Sequence, residues 1–174
     1  IINIGGNIIV DQDYLSQFLK LFAQLEGRKI LVHGGGKRAT DLGKRLGIES
    51  KMVEGRRITD AKSLELVVMV YAGLVNKNIV AQLQANNSNA IGLSGADENT
   101  VIAVKSPVNK LYFGFVGDIV VVNAGCISVR LNAEVVPVFC ALTHDTNGQL
   151  FNTNADTIAS EVAIAMSQAY DTTL

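Results

Sequence analysis

Cysteine and histidine are scarce in this sequence, and their spacing argues against both a disulfide-stabilised and a metal-stabilised protein. Cys126 and Cys140 lie far apart, and neither His33 nor His144 has a Cys or carboxylate at metal-ligand spacing. We therefore expect neither a disulfide framework nor a metal site. Thiols stay reduced in the cytoplasm, which is where we expect the protein to act.

Net charge is equally small. Fifteen Lys and Arg against sixteen Asp and Glu give a formal charge of −1, which favours neither a nucleic-acid partner nor a membrane surface. No apolar run approaches the ~20 residues of a membrane span, and no signal peptide is recognisable. Apolar residues make up 48% of the 174 positions, enough for the core of a single domain or a large part of one.

Apolar strand patterns alternate with helical patterns along the chain. Gly73 is expected to break one helical stretch, and residues 51–58 suit an exposed hairpin. Successive strand–helix units are typical of an α/β fold with a largely parallel sheet. Strands are predicted over 1–6, 29–33, 89–93, 101–105, 115–122 and 135–142, and helices over 13–26, 38–46, 60–71, 74–83 and 154–169.

Glycine-containing turns follow three of the predicted strands. We call them the first (Gly5-Gly6), second (Gly34-Gly35-Gly36) and third (94–97) glycine turns. The carboxyl ends of parallel strands share one edge of the sheet, where α/β proteins bind their ligands. Glycine N–H groups and the helix start after Gly36 suit a phosphate or a carboxylate. A plain tight turn is the alternative at each position.

The second glycine turn can be compared with two nucleotide-binding motifs. A P-loop is excluded, because it needs Gly at position 31 and Ser or Thr at position 38, where the chain has Leu31 and Arg38. Gly34-x-Gly36-x-x-Ala39 does match the dinucleotide fingerprint, with Glu54 as the candidate acid. A dinucleotide-binding oxidoreductase is therefore one alternative, although Glu54 falls in a polar hairpin.

Two polar stretches supply further candidates. Arg57 suits either a solvated hairpin or a bidentate clamp on a carboxylate. In the stretch 152–156, Asn154 can cap a helix. The negative charge of Asp156 in the first turn would interact favourably with the positive end of the helix dipole. This stretch is therefore either an ordinary helix start or part of a site.

Taken together, these stretches resemble the amino-acid kinase family. They span nearly the whole chain in the family's order, which makes the resemblance specific. It implies a three-layer α/β/α sandwich with a mainly parallel central sheet. The motifs that carry it are Ile4-Gly5-Gly6-Asn7, Val32-His33-Gly34-Gly35-Gly36-Lys37, Gly55-Arg56-Arg57-Ile58-Thr59, Gly73-Leu74-Val75-Asn76-Lys77, Gly92-Leu93-Ser94-Gly95-Ala96-Asp97, Gly114-Phe115-Val116-Gly117 and Gly148-Gln149-Leu150-Phe151-Asn152-Thr153-Asn154-Ala155-Asp156.

Within that family, the resemblance implies phosphoryl transfer from ATP, bound with Mg²⁺, to the side-chain carboxylate of an N-acyl-L-glutamate in arginine biosynthesis. Backbone N–H groups would bind the transferring phosphoryl group and the attacked carboxylate. Arg57 and Asn152 would hold the α-carboxylate, with Asn154 nearby. The glycines implied as phosphate-binding are Gly5, Gly6, Gly34 and Gly35, and the last two are also implied in substrate binding.

One position departs from the family pattern. The family has a lysine two residues before the first glycine pair, where this chain has Asn3. Asp156 matches the acid that positions the family's catalytic lysines, so Asn3 and Asp156 are the candidate catalytic residues. The alternative function is a non-catalytic acylglutamate-binding or regulatory domain that has lost this lysine.

The resemblance also carries expectations about organisation. Residues 1–174 are expected to form the acylglutamate-binding part of an amino-acid kinase domain, with most of the nucleotide-binding part in sequence after Leu174. The helical pattern from Lys62 to Leu83 has more apolar surface than one core stripe needs. We therefore expect a homodimer.

Overall fold

A computed structural model describes residues 1–49, 51–53, 56–107 and 112–174. Glu54 and Gly55, which figure in the dinucleotide fingerprint and in the family motif, lie outside these residues. In chain order the elements are β1 (Ile2–Ile4), α1 (Gly6–Val10), α2 (Gln12–Gln24), β2 (Leu31–His33), α3 (Gly36–Arg45), β3 (Lys51–Val53), β4 (Arg56–Ile58), α4 (Ala61–Val68), a π-helical segment (Met69–Val75), α5 (Asn76–Ala85), β5 (Ala90–Leu93), a 3-10 turn (Asp97–Asn99), β6 (Val101–Lys105), β7 (Gly117–Val122), α6 (Ala124–Asn132), β8 (Val136–Cys140), β9 (Leu142–His144), β10 (Leu150–Asn152) and α7 (Ala155–Met166).

A four-stranded parallel sheet forms the centre of the fold. Its strand order is β1-β2-β8-β5, and every neighbouring pair is parallel. Both inner strands are buried throughout, as expected for a parallel sheet covered on its faces. Helices α5, α6 and α7 pack against it. The predicted α/β class with a parallel central sheet is confirmed.

A second four-stranded sheet accompanies the first. Its order is β10-β9-β6-β7, with β6 and β9 parallel and the two outer pairs antiparallel. The single strand predicted over 135–142 is wrong in detail, because β8 ends at Cys140 and β9 starts at Leu142 in the other sheet. All residues from Val136 to Leu142 are buried, so the hydrophobic pattern does not mark the change of sheet.

The predicted helix break at Gly73 is also wrong. The α4 helix continues through the π-helical segment into α5, giving a helix over Ala61–Ala85. By length and composition it is the one helix among the described residues that could cross a membrane, although no sequence run looked long enough. Such a match is weak evidence, because core helices pass the same test, and here Val67, Val70 and Ile79 are fully buried.

Aspartate side chains cap two of the helix starts. Oδ1 of Asp11 accepts hydrogen bonds from the N–H groups of Asp13 and Tyr14, at 3.0 and 3.1 Å. Oδ1 of Asp60 accepts one from the N–H of Ser63 at 2.8 Å. Two helices of the structure, α1 and α6, are not among the predicted elements.

Candidate active site

A cavity of about 800 Å³ lies at the edge of the central sheet where β1 and β2 end. The parallel register brings the ends of these two strands together, so the first and second glycine turns face the same space. All nine residues predicted as site residues line this cavity: Asn3, Gly5, Gly6, Gly34, Gly35, Arg57, Asn152, Asn154 and Asp156.

The third glycine turn does not join this site. It follows β5, which β8 separates from β2, and it is not among the described residues that line the cavity. Its polar groups are used locally: Asp97 accepts hydrogen bonds from the backbone N–H and the hydroxyl of Ser94. The third turn does lie at the carboxyl edge of the same sheet, as predicted, but it lies outside the cavity that the other two turns line.

Each of the two remaining glycine turns leads directly into a helix. Gly5 precedes α1 and Gly35 precedes α3, and at neither start does a side chain cap the helix. The first N–H groups of α3 are thus left for an anion, which the helix dipole also favours. Gly35 has no room for a side chain, since a Cβ there would lie 2.6 Å from Cδ1 of Tyr71.

His33 fixes the orientation of the second glycine turn. Its side chain is fully buried, and burial lowers its pKa to about 4, so the ring is neutral at pH 7. Because a carbonyl can only accept, Nδ1 is the donor to the Gly34 oxygen at 2.7 Å. A trans peptide sets its C=O and N–H on opposite sides, so the Gly35 N–H is directed away from His33. Sequence reasoning weighed His33 only as a metal ligand.

A buried amide completes this arrangement from the other side of the ring. Nδ2 of Asn76 lies 3.0 Å from Nε2 of His33 and also donates to the Val138 carbonyl at 2.9 Å. Asn76 in turn accepts a hydrogen bond from Nζ of Lys77 at 3.2 Å. The motif that contains Asn76 was noticed in the sequence, but its contact with His33 needs a long-range fold.

Arg57 is buried rather than solvated, with 5% of its surface exposed. Its Nη2 donates to the Gly36 carbonyl at 2.9 Å and to Oγ1 of Thr40 at 2.8 Å. The guanidinium therefore lies against the second glycine turn, on the strand β4 that was expected to be part of an exposed hairpin. A buried cation whose planar fork faces a cavity is suited to gripping a carboxylate.

The 152–156 stretch serves both roles considered for it. Oδ1 of Asn154 caps α7 by accepting from the N–H groups of Asp156 and Thr157, at 2.7 and 3.2 Å. Asn152, at the end of β10, donates from Nδ2 to the Thr59 hydroxyl at 3.0 Å. Across the cavity edge, Oδ1 of Asp156 accepts from Nδ2 of Asn3 at 2.5 Å. The start of α7 therefore also forms part of the cavity wall.

Lys37 is a cavity residue that sequence reasoning did not select. It follows the second glycine turn in the first turn of α3, and its Nζ donates to Oδ1 of Asn7 at 2.5 Å. In the sequence it belongs to one of the family motifs, but no role was predicted for it. The signal available was the presence of a lysine directly after the glycines. Among the described residues, no cluster of three or more His, Cys, Asp or Glu side chains could hold a metal ion.

These features define an α/β protein with a cavity at the carboxyl edge of a parallel sheet, where proteins of this class bind their ligands. Comparison with known proteins gives the family: the model of the amino acid kinase family matches residues 1–169, and the chain belongs to that family. Kinases of this family use ATP as a small-molecule partner.

Two curated relatives and one solved structure illustrate the similarity. The chain is 56% identical to the acetylglutamate kinase of Phocaeicola vulgatus and 54% identical to that of Bacteroides thetaiotaomicron. Each match covers the whole of this chain and 68% of the relative. The crystal structure of smu.665 from Streptococcus mutans is similar at a TM-score of 0.79, with 27% identity, over 95% of this chain and 67% of that one.

Proposed function

We propose that the chain forms the acylglutamate-binding part of a kinase that phosphorylates the side-chain carboxylate of an N-acyl-L-glutamate, as acetylglutamate kinases do. Similarity over the whole chain to two enzymes of that name supports the activity. The observation that carries the site is the single cavity lined by all nine predicted residues. Most of the nucleotide-binding part is proposed to lie in sequence beyond Leu174.

The residues divide by the part of the reactants that they would hold. Arg57 and Asn152 hold the α-carboxylate of the acylglutamate, with Asn154 beside them. Backbone N–H groups of Gly34 and Gly35 hold the side-chain carboxylate and the phosphoryl group, and those of Gly5 and Gly6 approach the phosphoryl group from β1. Mg²⁺ enters with ATP. Asp156 and Asn3 form the wall next to the reacting atoms.

The chemistry requires positioning more than acid–base catalysis. A glutamate carboxylate has an ordinary pKa near 4.3 and is already ionised at neutral pH, so no general base is needed. One carboxylate oxygen forms a bond to the γ-phosphorus of ATP while the bond from that phosphorus to the β–γ bridging oxygen breaks. ADP leaves and an acyl phosphate remains. The protein brings the anions together and offsets their repulsion.

An acyl phosphate reacts with hydroxylamine, which gives a direct assay. The full-length protein that contains this chain, supplied with ATP, Mg²⁺ and N-acetyl-L-glutamate, should yield a coloured hydroxamate in the presence of Fe³⁺. Glutamate without an acyl group serves as the control acceptor. Acylglutamate binding in calorimetry without hydroxamate formation would instead support the non-catalytic binding domain that Asn3 suggests.

We also propose that the protein is a cytoplasmic homodimer. Both cysteines are free thiols, as is usual in a reducing compartment. The helix over Ala61–Ala85 leaves Met69 and Leu74 about half exposed, which offers apolar surface for a second copy. Light scattering on the full-length protein measures the assembly directly, and a monomeric or hexameric mass would contradict the dimer.

A further inference from the structure

Lys37 connects the two glycine turns that line the cavity. Its backbone lies directly after the second turn, and its side chain reaches across to the first. Cγ of Lys37 lies 3.6 Å from the position that a Cβ on Gly6 would occupy, and Nζ bonds to Asn7, the residue after Gly6. The side chain therefore lies along the cavity wall and places its ammonium group at the start of α1.

The partner of this ammonium group leaves its charge intact. Oδ1 of Asn7 accepts a hydrogen bond at 2.5 Å, and an amide oxygen orients the lysine without a negative charge of its own. A carboxylate at the same place would offset the charge by forming an ion pair. Lys37 is thus held in position while its full positive charge remains available to an anion.

The charges of the cavity make this group distinctive. Among the described residues that line it, the cations are Lys37 and Arg57, and the acids are Asp41 and Asp156. Arg57 lies against the carbonyl of Gly36, and the amide at position 3 is neutral. Of the two cations, Lys37 is the one whose side chain extends from the second glycine turn to the first.

We propose that Lys37 is a catalytic residue whose ammonium group binds the transferring phosphoryl group between the two glycine turns and supplies the positive charge that Asn3 does not. This inference rests on the proposed function. Negative charge on the equatorial phosphoryl oxygens is drawn towards Nζ as the bond to the acylglutamate forms and the bond to ADP breaks. No proton is transferred in this step, because the attacking carboxylate is already ionised.

The decisive comparison uses Lys37→Met in the full-length protein. Methionine keeps a similar length and flexibility but has no charge, so turnover should fall by about 10²–10³-fold, the cost of losing one preorganised donor. The KM for N-acetylglutamate should change by less than about threefold, because Lys37 is not assigned to the α-carboxylate. Lys37→Arg should retain part of the activity. Lys44→Met, an exposed change at the other end of α3, is the matched control and should have no effect.

A second substitution tests whether position 3 and Lys37 share one task. Asn3→Lys in the Lys37→Met background should restore at least tenfold of the lost turnover, since Asp156 lies at 2.5 Å from the amide that the new side chain replaces. The same change in the wild-type background should give a smaller gain. Turnover of Lys37→Met within twofold of an active wild type would overturn the inference while leaving the proposed function intact.

Anion binding provides a readout that does not depend on turnover. The affinity for a non-hydrolysable ATP analogue, measured by calorimetry with Mg²⁺, should fall at least tenfold in Lys37→Met and should not change in Lys44→Met. If the wild type lacks kinase activity, the proposed function fails, and this measurement still decides whether Lys37 binds the phosphate. Equal affinities in wild type and Lys37→Met would refute the role of Lys37.

Discussion

Nδ2 of Asn3 donates a hydrogen bond of 2.5 Å to Oδ1 of Asp156, which joins the end strand of the central sheet to the first turn of the last helix. The two residues are 153 positions apart in sequence, so the pair exists only in the folded protein. An amide offers a carboxylate a donor without a charge. The hydrogen bond therefore brings no positive charge to Asp156 at the cavity edge, where the Asn3 Oδ1 atom has no partner among the described residues.

Replacing Asn3 by Asp should make this pair dependent on pH. Two carboxylates at hydrogen-bonding distance cannot both ionise at low cost, so the pair would retain a proton with a raised pKa. Relative to wild type, Asn3→Asp should be less stable at pH 8, and the difference should shrink as the pH falls through that raised pKa. Urea denaturation at several pH values measures this. A difference independent of pH would show that the two side chains have moved apart, and Asn3→Ala is the uncharged control.

Gly35 and Gly5 should respond differently to the same substitution. Gly35→Ala places a methyl group 2.6 Å from the Tyr71 ring, which is itself buried, so we expect a loss of about 1–3 kcal/mol in unfolding free energy. At Gly5 no heavy atom lies within 4 Å of a new Cβ, and we expect a loss below about 1 kcal/mol. Turnover should fall in both variants, because both turns line the cavity. Equal stabilities in thermal unfolding would contradict the packing assigned to Tyr71.

Arg57→Ala should weaken acylglutamate binding by about 2–4 kcal/mol, because a charge-assisted carboxylate contact is lost and its partner is left unpaired. Calorimetry with N-acetylglutamate is the measurement, and nucleotide affinity should change little. Arg45→Ala, an exposed change on α3, controls for loss of positive charge. Unchanged acylglutamate affinity in Arg57→Ala would remove Arg57 from the site.

Burial of His33 predicts a loss of stability in mild acid. Its folded pKa of about 4 lies below the ordinary histidine pKa of 6.5, so between these pH values the unfolded chain binds a proton that the buried native ring does not. Stability should decline as the pH falls from 6.5 towards 4, by about 3 kcal/mol in total. Asp60 and Asp145, whose pKa values are lowered by hydrogen bonds, add their losses at lower pH. Urea midpoints at pH 7, 6 and 5 should therefore fall in wild type, and the decline should flatten in His33→Gln.

Local chemistry made the glycine turns and the helix caps predictable. Asp11, Asp60 and Asn154 accept hydrogen bonds from backbone N–H groups two or three residues later, so the sequence contains both partners. The change of sheet at Ala141 was missed for the opposite reason, because β8 pairs with β2 and β9 pairs with β6, and both of these partners lie far away in the chain. The predicted break at Gly73 was wrong because a glycine usually marks a helix end, whereas here Gly73 lies inside a π-helical segment.

In the candidate site too, local features could be predicted from the sequence and long-range contacts could not. Nine residues that line the cavity were predicted from motifs, yet the sequence alone did not distinguish a buried Arg57 from a solvated one. The contacts of Lys37 with Gly6 and Asn7 link segments about 30 residues apart, and the contact of His33 with Asn76 spans 43 positions. Periodicity and spacing describe one segment at a time, so contacts of this kind emerge only when the strands are assembled.

The position of β8 between β2 and β5 has a consequence for synthesis of the chain. The strand that β2 needs as its inner neighbour follows about 100 residues later, so at roughly 5–20 residues per second the ribosome delivers it about 5–20 s after β2 has been made. During that interval the apolar face and the unpaired inner edge of β2 lack their native cover. We expect a nascent chain truncated before β8 to bind holding chaperones, and one extended past β8 to be released.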